Sequence, residues 1–311
     1  MIHYPPRMTV VEVAPRDGLQ SLGRWIGTDT KVAMIDRLSA AGLPVIEVTA
    51  FAHPRAIPEL RDAEEVFARI ARRPGTVYRG LAPNARGAER AVAAGADEIL
   101  GLVTVSETYS QRNQNMPVQA AAAQAEEAFR IANQAGRAFA MAIGVSMWCP
   151  YEGGIPPARV EALVARFVAA GMRRFYLAGS MGMEDARQVG ALFAMLRGRW
   201  PDCAFGYHVH NLAGTGTANV LAAMDAGAAW IEGAICGIGG GIALPDTGVP
   251  VGNLATEDIV AMLSTLGIDT GLRLQEVVAA ARDVERLLGL RATSHAARAG
   301  TREEILQHAR P

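Results

Sequence analysis

The chain has almost no lysine. Lys31 is the single lysine among 30 basic residues, the rest being arginine. Barrel aldolases that work through a Schiff base need a desolvated lysine inside the barrel. Lys31 instead sits in the first turn of a segment with helical periodicity, outside any strand, so the sequence argues against imine chemistry. Cysteine is scarce too: Cys149, Cys203 and Cys236 are too few for a disulfide framework, and their spacing matches no zinc motif. No apolar run approaches the ~18 residues of a membrane helix. The opening stretch MIHYPPRMTVVEV carries neither a signal-peptide core nor an Arg/Ser-rich presequence. With a formal net charge of -1 and 20% charged residues, there is no surplus of charge for nucleic acid or an anionic membrane. The expectation is a soluble cytoplasmic protein with reduced thiols and neither a nucleic-acid nor a membrane partner.

What is present is a repeat. A short β-rich run, a loop and an amphipathic segment recur at roughly 30-residue spacing. Eight strand candidates read TVVEVAP (9–15), VIEVTAF (45–51), VYRGLAP (77–83), EILGLVTV (98–105), AFAMAIGVSM (138–147), RFYLAGS (174–180), FGYHVHN (205–211) and WIEGAICGIG (230–239). Helical segments lie between them, the first capped by Asp29 and closed by Gly42, and TEDIVAMLSTLG reads as the eighth. Two more helices are expected near 274–289 and 301–308, the last opening on the capping box TREE. Eight such units predict an α/β protein with a (β/α)8 TIM barrel, one domain over 1–311 with the barrel at about 8–266 and C-terminal helices in 267–311. A doubly wound sheet would favour a G-x-G-x-x-G loop after its first strand, and VAPRDGLQSLG has none.

Chemistry in a barrel sits at the C-terminal strand ends. The first strand ends in Arg16-Asp17-Gly18, the second carries Glu47, and the seventh ends in His208-x-His210-Asn211. The eighth runs into a glycine loop that closes on Asn253. A strand repeats every two residues, so His208 and His210 face the same side. A lone H-x-H pair is usually one core imidazole and one solvated one. Here Asp17, at another strand end, offers an anionic oxygen, and two imidazoles with oxygen ligands suit a divalent ion. Magnesium, manganese, cobalt and zinc all remain open on these residues alone. Arg16 reads either as an exposed ion-pair residue or as a fixed cation aimed at developing negative charge.

These motifs resemble the 3-hydroxy-3-methylglutaryl-CoA lyase family of metal-dependent barrels. VEVAPRDGLQ, AGLPVIEVTAF, CPYEG (149–153), HVHN (208–211) and GNLATEDIVAML (252–263) carry the resemblance, which covers roughly residues 8 to 290. It implies Asp17, His208, His210 and Asn253 as metal ligands, with Mg²⁺ or Mn²⁺ the expected occupant. It implies Arg16, Glu47 and His208 as catalytic residues: Arg16 to stabilise an enolate oxygen, Glu47 as an acid–base or supporting group near the metal. Arg16, Gln20, Asn113 and Gly241 are the expected substrate contacts. The implied reaction is retro-aldol (Claisen-type) cleavage of a 3-hydroxyacyl-CoA to an acetyl-CoA-type product and a keto acid. Barrels of this type commonly form a homodimer or higher homo-oligomer.

The chain departs from the family in places. Gly241 stands where the loop after the eighth strand has a cysteine thought to act in proton transfer, and the loop, which contains Pro245, Asp246 and Pro250, is longer. Gly179 replaces an acidic residue in LAGS (177–180), and NLAGT follows the histidines. All three changes are expected to fall in the pocket, altering substrate or proton delivery around an intact metal, with the glycine loop as a lid. Cys236, placed in the strand, reads as a small core thiol. SETYSQRNQNMP (106–117) reads as a loop that lines the pocket through Asn113 and Asn115 or is merely solvated, and His53 lies just past the second strand. Trp25, Trp148 and Trp230 read as packing. The competing functions are a condensing synthase or 2-oxo-acid aldolase of the same barrels, and a non-catalytic metal- or CoA-binding barrel.

Overall fold

Runs of mixed β-branched and aliphatic residues, buried on both faces, form parallel strands in the computed structural model, which describes residues 3–245, 248 and 251–308. The strands are β1 (Thr9–Glu12), β2 (Val45–Ala50), β3 (Val77–Leu81), β4 (Glu98–Thr104), β5 (Ala138–Gly144), β6 (Arg174–Gly179), β7 (Ala204–Val209) and β8 (Trp230–Gly233). They follow one another around a closed barrel, with β1 pairing to both β2 and β8. The expected (β/α)8 barrel is therefore what the chain forms. No helix among the described residues is long and apolar enough to cross a membrane.

Most strands are shorter than the sequence suggests, because the chain turns as soon as the ladder ends. After β1 it enters a π-helical turn, Ala14–Gly18, and after β8 a short 3-10 turn, Ile235–Gly237. Cys236 lies in that second turn at φ 64° rather than in the strand. The first helix, α1 (Thr28–Ala40), is not capped by Asp29; Gly27 holds the cap position and Asp29 sits in the first turn, accepting from Arg69. Two barrel helices lack strong sequence signals: Ala63–Arg69 after β2 and Ala186–Arg199 after β6, the latter opened by an Asp185–Gln188 capping box. Most of residues 106–117 is helix rather than loop. Ser106 caps the helix Glu107–Gln114 by accepting from the Tyr109 N–H. The TREE box forms as expected: Thr301 N–H donates to Glu304 Oε2 at 2.8 Å, and Glu304 N–H to Thr301 Oγ1 at 3.2 Å.

The barrel lumen is unusual in what fills it. Branched aliphatics normally supply the interior layers, but here one interior layer is made of charged strand residues. Arg79 of β3 is fully buried. It donates to Glu98 of β4 (Nε to Oε2, 2.7 Å) and to Glu232 of β8 (2.7 Å), and lies 3.9 Å from Glu47 of β2. Below this layer, Trp230 fills the lumen where a side chain at Gly206 would clash, and donates its indole N–H to Glu232 at 2.8 Å. Lys31 is structural: its ammonium donates to Asp62 at 2.5 Å and lies 3.9 Å over the Trp25 ring.

Removing one partner from a buried ion network leaves uncompensated charge, at a cost of about 3–5 kcal/mol. Arg79→Ala is accordingly expected to lower unfolding free energy by that order in urea titrations. A change below about 1 kcal/mol would mean that the three carboxylates do not depend on it.

A separate pair of buried carboxylates holds the turn after β8. Glu12 accepts from the N–H groups of Ala14 and Ile235, and Glu257 from that of Cys236. Burial outweighs these bonds and pushes Glu12 up to about 7 and Glu257 up to about 8. Both then keep a proton in the folded state at pH values where the unfolded chain has released it. Stability should fall as pH rises from the ordinary carboxyl range through 8. In thermal melts, Glu257→Gln should flatten the decline in Tm between about pH 5.5 and 8.5; an unchanged slope would rule this residue out as its source.

Candidate metal centre and active-site pocket

The site is assembled from two segments stitched together at the barrel mouth. The π turn after β1 presents Arg16 and Asp17 as neighbours that meet each other, Arg16 Nη1 donating to Asp17 Oδ1 at 2.6 Å. On the opposite side, the chain returning to the helix at Thr256 pairs with the end of β7. Asn211 N–H donates to Gly252 O at 2.9 Å, Leu254 N–H donates to Val209 O at 2.9 Å, and His210 forms a bridge with Asn253. These contacts bring Asn253, 43 positions downstream of the H-x-H pair's second member, against it.

Asp17, His208 and His210 form the only group of three or more metal-ligating side chains among the described residues, with one ligand atom from each within 4.8 Å of the others. The two Nε2 atoms face each other at 3.1 Å; Asp17 Oδ2 lies 3.3 Å from that of His210 and 4.0 Å from that of His208. Ligands bound side by side at about 2.1 Å from one ion lie about 3 Å apart, which matches the two shorter separations. Two bare imidazole lone pairs would repel at that distance unless a proton or a cation lies between them. His208 Nδ1 contacts Glu232 Oε2 at 3.2 Å, and that carboxylate fixes the tautomer that leaves Nε2 free. The residues therefore fit a divalent cation. Asn253 Nδ2 donates to Asp17 Oδ2 at 2.7 Å and to Ile238 O at 3.0 Å, while its Oδ1 is buried without a partner. A half-turn of that amide would aim the oxygen at the same point.

Charge here is set by neighbours. Burial would raise the Asp17 carboxyl, but Arg16, a hydrogen bond from His210 and both imidazoles hold it well below the usual carboxylate range. Burial likewise opposes the Arg16 charge, and Glu47 and Asp17 more than restore it. Burial raises Glu47 despite Arg16 and Arg79. Glu232, which burial would raise, is brought down to about 2 by Arg79 and His208.

The cradle opens into a cavity of about 90 Å³. Arg16, Asp17, His208 and His210 line one side, and Gln20, Asn113 and Gly241, all expected substrate contacts, line it too. Glu47 does not. It lies behind Arg16, taking a short hydrogen bond from Nε, and so orients the guanidinium. Asn115 is an exposed helix cap bonded to Gln111, and exposed His53 accepts from Arg55 N–H; neither lines the cavity. Only one of the three departures expected in the pocket is there, the Gly241 loop. Gly179 points away from the cavity, and the Glu184 carboxylate takes the space a side chain at 179 would fill, accepting from the Tyr207 hydroxyl at 2.7 Å. Asn211 caps the next helix by accepting from Gly216 N–H. Asp246 and Pro250 of the longer loop lie outside the described residues. Cys236 is buried with its thiol toward Ala281 O, and burial raises its thiol further above neutrality. It faces the core, as its reading as a core thiol requires.

Sequence reasoning missed Glu232, Arg79, Tyr176 and Tyr109. The first two had a signal, a lone charge inside an otherwise apolar strand. Tyr176 stacks on His208 at 5.3 Å and forms part of the cavity floor. At the rim, Val145 takes φ 48°, a strained conformation for a β-branched residue, and its N–H donates to Ser180 Oγ at 2.9 Å beside the lining residue Gly144.

Comparison with known proteins gives concordant results. A family model described as HMGL-like matches residues 7–284. The mitochondrial hydroxymethylglutaryl-CoA lyase of Bos taurus is 34% identical over 296 residues, spanning 95% of this chain and 90% of the relative. The hydroxymethylglutaryl-CoA lyase of Bacillus subtilis is 34% identical over 286 residues, 92% of this chain and 95% of its own. Among solved structures, an HMG-CoA lyase of Acinetobacter baumannii, in complex with coenzyme A and 3-methylmalate, superposes with a TM-score of 0.91 at 35% identity, over 97% of this chain and 98% of that one.

If Glu232 orients His208 for a cation, Glu232→Gln should weaken Mn²⁺ binding about 10- to 100-fold by titration calorimetry. Unchanged affinity in a folded variant would remove Glu232 from that role.

Proposed function

The chain belongs to the HMGL-like family, and from that premise we propose that it is a divalent-metal-dependent carbon–carbon lyase. Its substrate is a 3-hydroxyacyl-CoA of the 3-hydroxy-3-methylglutaryl type, cleaved to an acetyl-CoA-type product and a keto acid. The observation that carries this reading is the convergence of Asp17, His208 and His210 on one point of a small cavity, with Arg16 beside them.

Asp17, His208, His210 and, after an amide turn, Asn253 would hold the ion, Mg²⁺ or Mn²⁺. Bound there, it supplies Lewis acidity to the substrate oxygens. The remaining work falls to the chain. Arg16, fixed from behind by Glu47, presents a guanidinium to the negative charge that develops as the carbon–carbon bond breaks. Gln20 is positioned between Asp17 (3.0 Å) and Gly240 O (3.3 Å), where it ties the glycine loop to the ligand set. A cavity of about 90 Å³ suits an acyl head, with the coenzyme A moiety reaching outward through the mouth. A relative solved with coenzyme A and 3-methylmalate, a hydroxy acid, supports that division. Three buried free cysteines support the reducing environment of the cytoplasm.

The test is cleavage of 3-hydroxy-3-methylglutaryl-CoA by protein loaded with Mn²⁺, alongside citramalyl-CoA and longer homologues. Wild-type protein should release acetyl-CoA. Asp17→Ala and His208→Ala should each lose the several kcal/mol of metal-dependent stabilisation, a fall in kcat of about a thousandfold or more. Full activity in either variant would overturn the assignment, and turnover of a homologue alone would reassign the acyl group.

A further inference from the structure

Cleavage as proposed above leaves a carbanion equivalent that must be protonated, and the cavity holds few groups able to do it. Arg16 is shared between Glu47 and Asp17, and the Gln20 amide between Asp17 and Gly240. Ser180 Oγ is engaged by Val145 N–H. Thr104 Oγ1 is buried and unpartnered, but an aliphatic alcohol is a far weaker acid than a phenol. Tyr176 lies flat against His208 on the floor.

Tyr109 is different. Its helix is anchored where it begins: Glu152, in the hairpin that follows β5, accepts from Ser106 Oγ at 2.5 Å and from Thr108 N–H at 3.1 Å. Tyr109 and Asn113, one turn apart, both face the cavity. The Tyr109 ring packs against Tyr151 at 6.1 Å, and Tyr151 donates to Ala243 O at 2.7 Å, so the aromatic pair also grips the glycine loop. No described residue hydrogen-bonds the Tyr109 hydroxyl. A side chain at Gly241 would begin with a Cβ 2.7 Å from that oxygen, so the hydroxyl occupies the space that the glycine leaves free.

We propose that the Tyr109 hydroxyl is the acid that protonates the released carbon, a catalytic role that the bare wall at Gly241 makes room for. This rests on the lyase reading. The C2–C3 bond breaks and its electron pair stays on the thioester side as the enolate, while the 3-hydroxyl loses its proton to solvent and becomes the ketone. The Tyr109 O–H bond then breaks and the proton goes to C2. The phenolate takes a proton back from water, balancing the one the 3-hydroxyl gave up. Burial holds the phenol above its usual range, so it carries the proton at neutral pH.

The experiment compares wild type, Tyr109→Phe, Tyr176→Phe, Gly241→Cys and the double variant Tyr109→Phe/Gly241→Cys, all loaded with Mn²⁺. Cleavage of 3-hydroxy-3-methylglutaryl-CoA and exchange of the acetyl-CoA methyl hydrogens with D₂O are measured, with Mn²⁺ affinity alongside. Tyr109→Phe should lower kcat by about 10²-fold or more and abolish exchange, with KM and Mn²⁺ affinity changed less than about threefold. Gly241→Cys alone should be impaired, because its Cβ meets the hydroxyl. In the double variant, removing that oxygen makes room for the thiol, which should recover part of kcat. Retention of kcat and exchange in Tyr109→Phe overturns the proposal, as does loss of exchange in Tyr176→Phe alone. Wild-type exchange without cleavage overturns the substrate reading and leaves Tyr109 to be judged on exchange; wild-type protein that does neither overturns both.

Discussion

One buried positive charge organises the rest of the molecule. Arg79 sits in the barrel lumen with no access to water, and three carboxylates from three strands gather on it. A charge in that position is tolerable only when neutralised and hydrogen-bonded. The geometry that neutralises it is specific: Glu232 turns one oxygen to Arg79 Nη1 and Trp230, which leaves the other for His208. The position of a side chain deep in the barrel thus fixes which imidazole nitrogen is free at the mouth. An aliphatic lumen would give the same fold and more easily the same stability. It would not orient a ligand.

The mouth repeats the logic with the signs reversed. Asp17 is the carboxylate of the candidate ligand set and Arg16 its immediate neighbour, so the anion that would hold a cation is already compensated on one side. Glu47, buried behind, keeps the guanidinium from swinging onto the ligand position. A dication held there would add positive charge to a cluster in which Arg16 is already paired with Asp17 and Glu47, and that added charge would favour a substrate that becomes more anionic as an enolate forms.

The fold was legible in the sequence because parallel barrel strands are apolar runs punctuated by helix caps, and those signals are local. The two helices without a reading show the limit: Ala63–Arg69 is only seven residues long, and Ala186–Arg199 begins after the GMED stretch that follows β6. The ligand set was legible in part for the same reason. His208 and His210 are two apart in one strand, and Asp17 adjoins a motif. What lies between strands was not. Arg79, Glu98 and Glu232 are 19 to 153 positions apart and become partners only through the order of strands around the barrel. Glu47 was open between an acid–base and a supporting place near the metal because a strand position alone does not say which neighbour its side chain meets, and the carboxylate lies behind Arg16, the supporting place. Gly179, expected in the pocket, faces away from it, and the Glu184 carboxylate, five residues on, fills the space beside it.

The two halves of the cavity are therefore constrained very differently. On the cradle side, each group has its position dictated by a second group, and that one by a third, back to the lumen. A substitution there propagates along Glu47, Glu232 and Arg79 and leaves buried charge uncompensated. On the far side stand Tyr109, Asn113, Ile57, Leu102 and the glycine loop, which come from a helix, loops and a strand end and carry no charge. Their coupling runs through single contacts, such as Tyr151 to Ala243 or Glu152 to Ser106. Exchanging a side chain on one of these walls for a glycine, and filling the space from the other, costs only local repacking. In a barrel built this way the proposed acid and the acyl-facing wall could change while the candidate metal cradle stays fixed, because the lumen charges behind the cradle do not touch that wall.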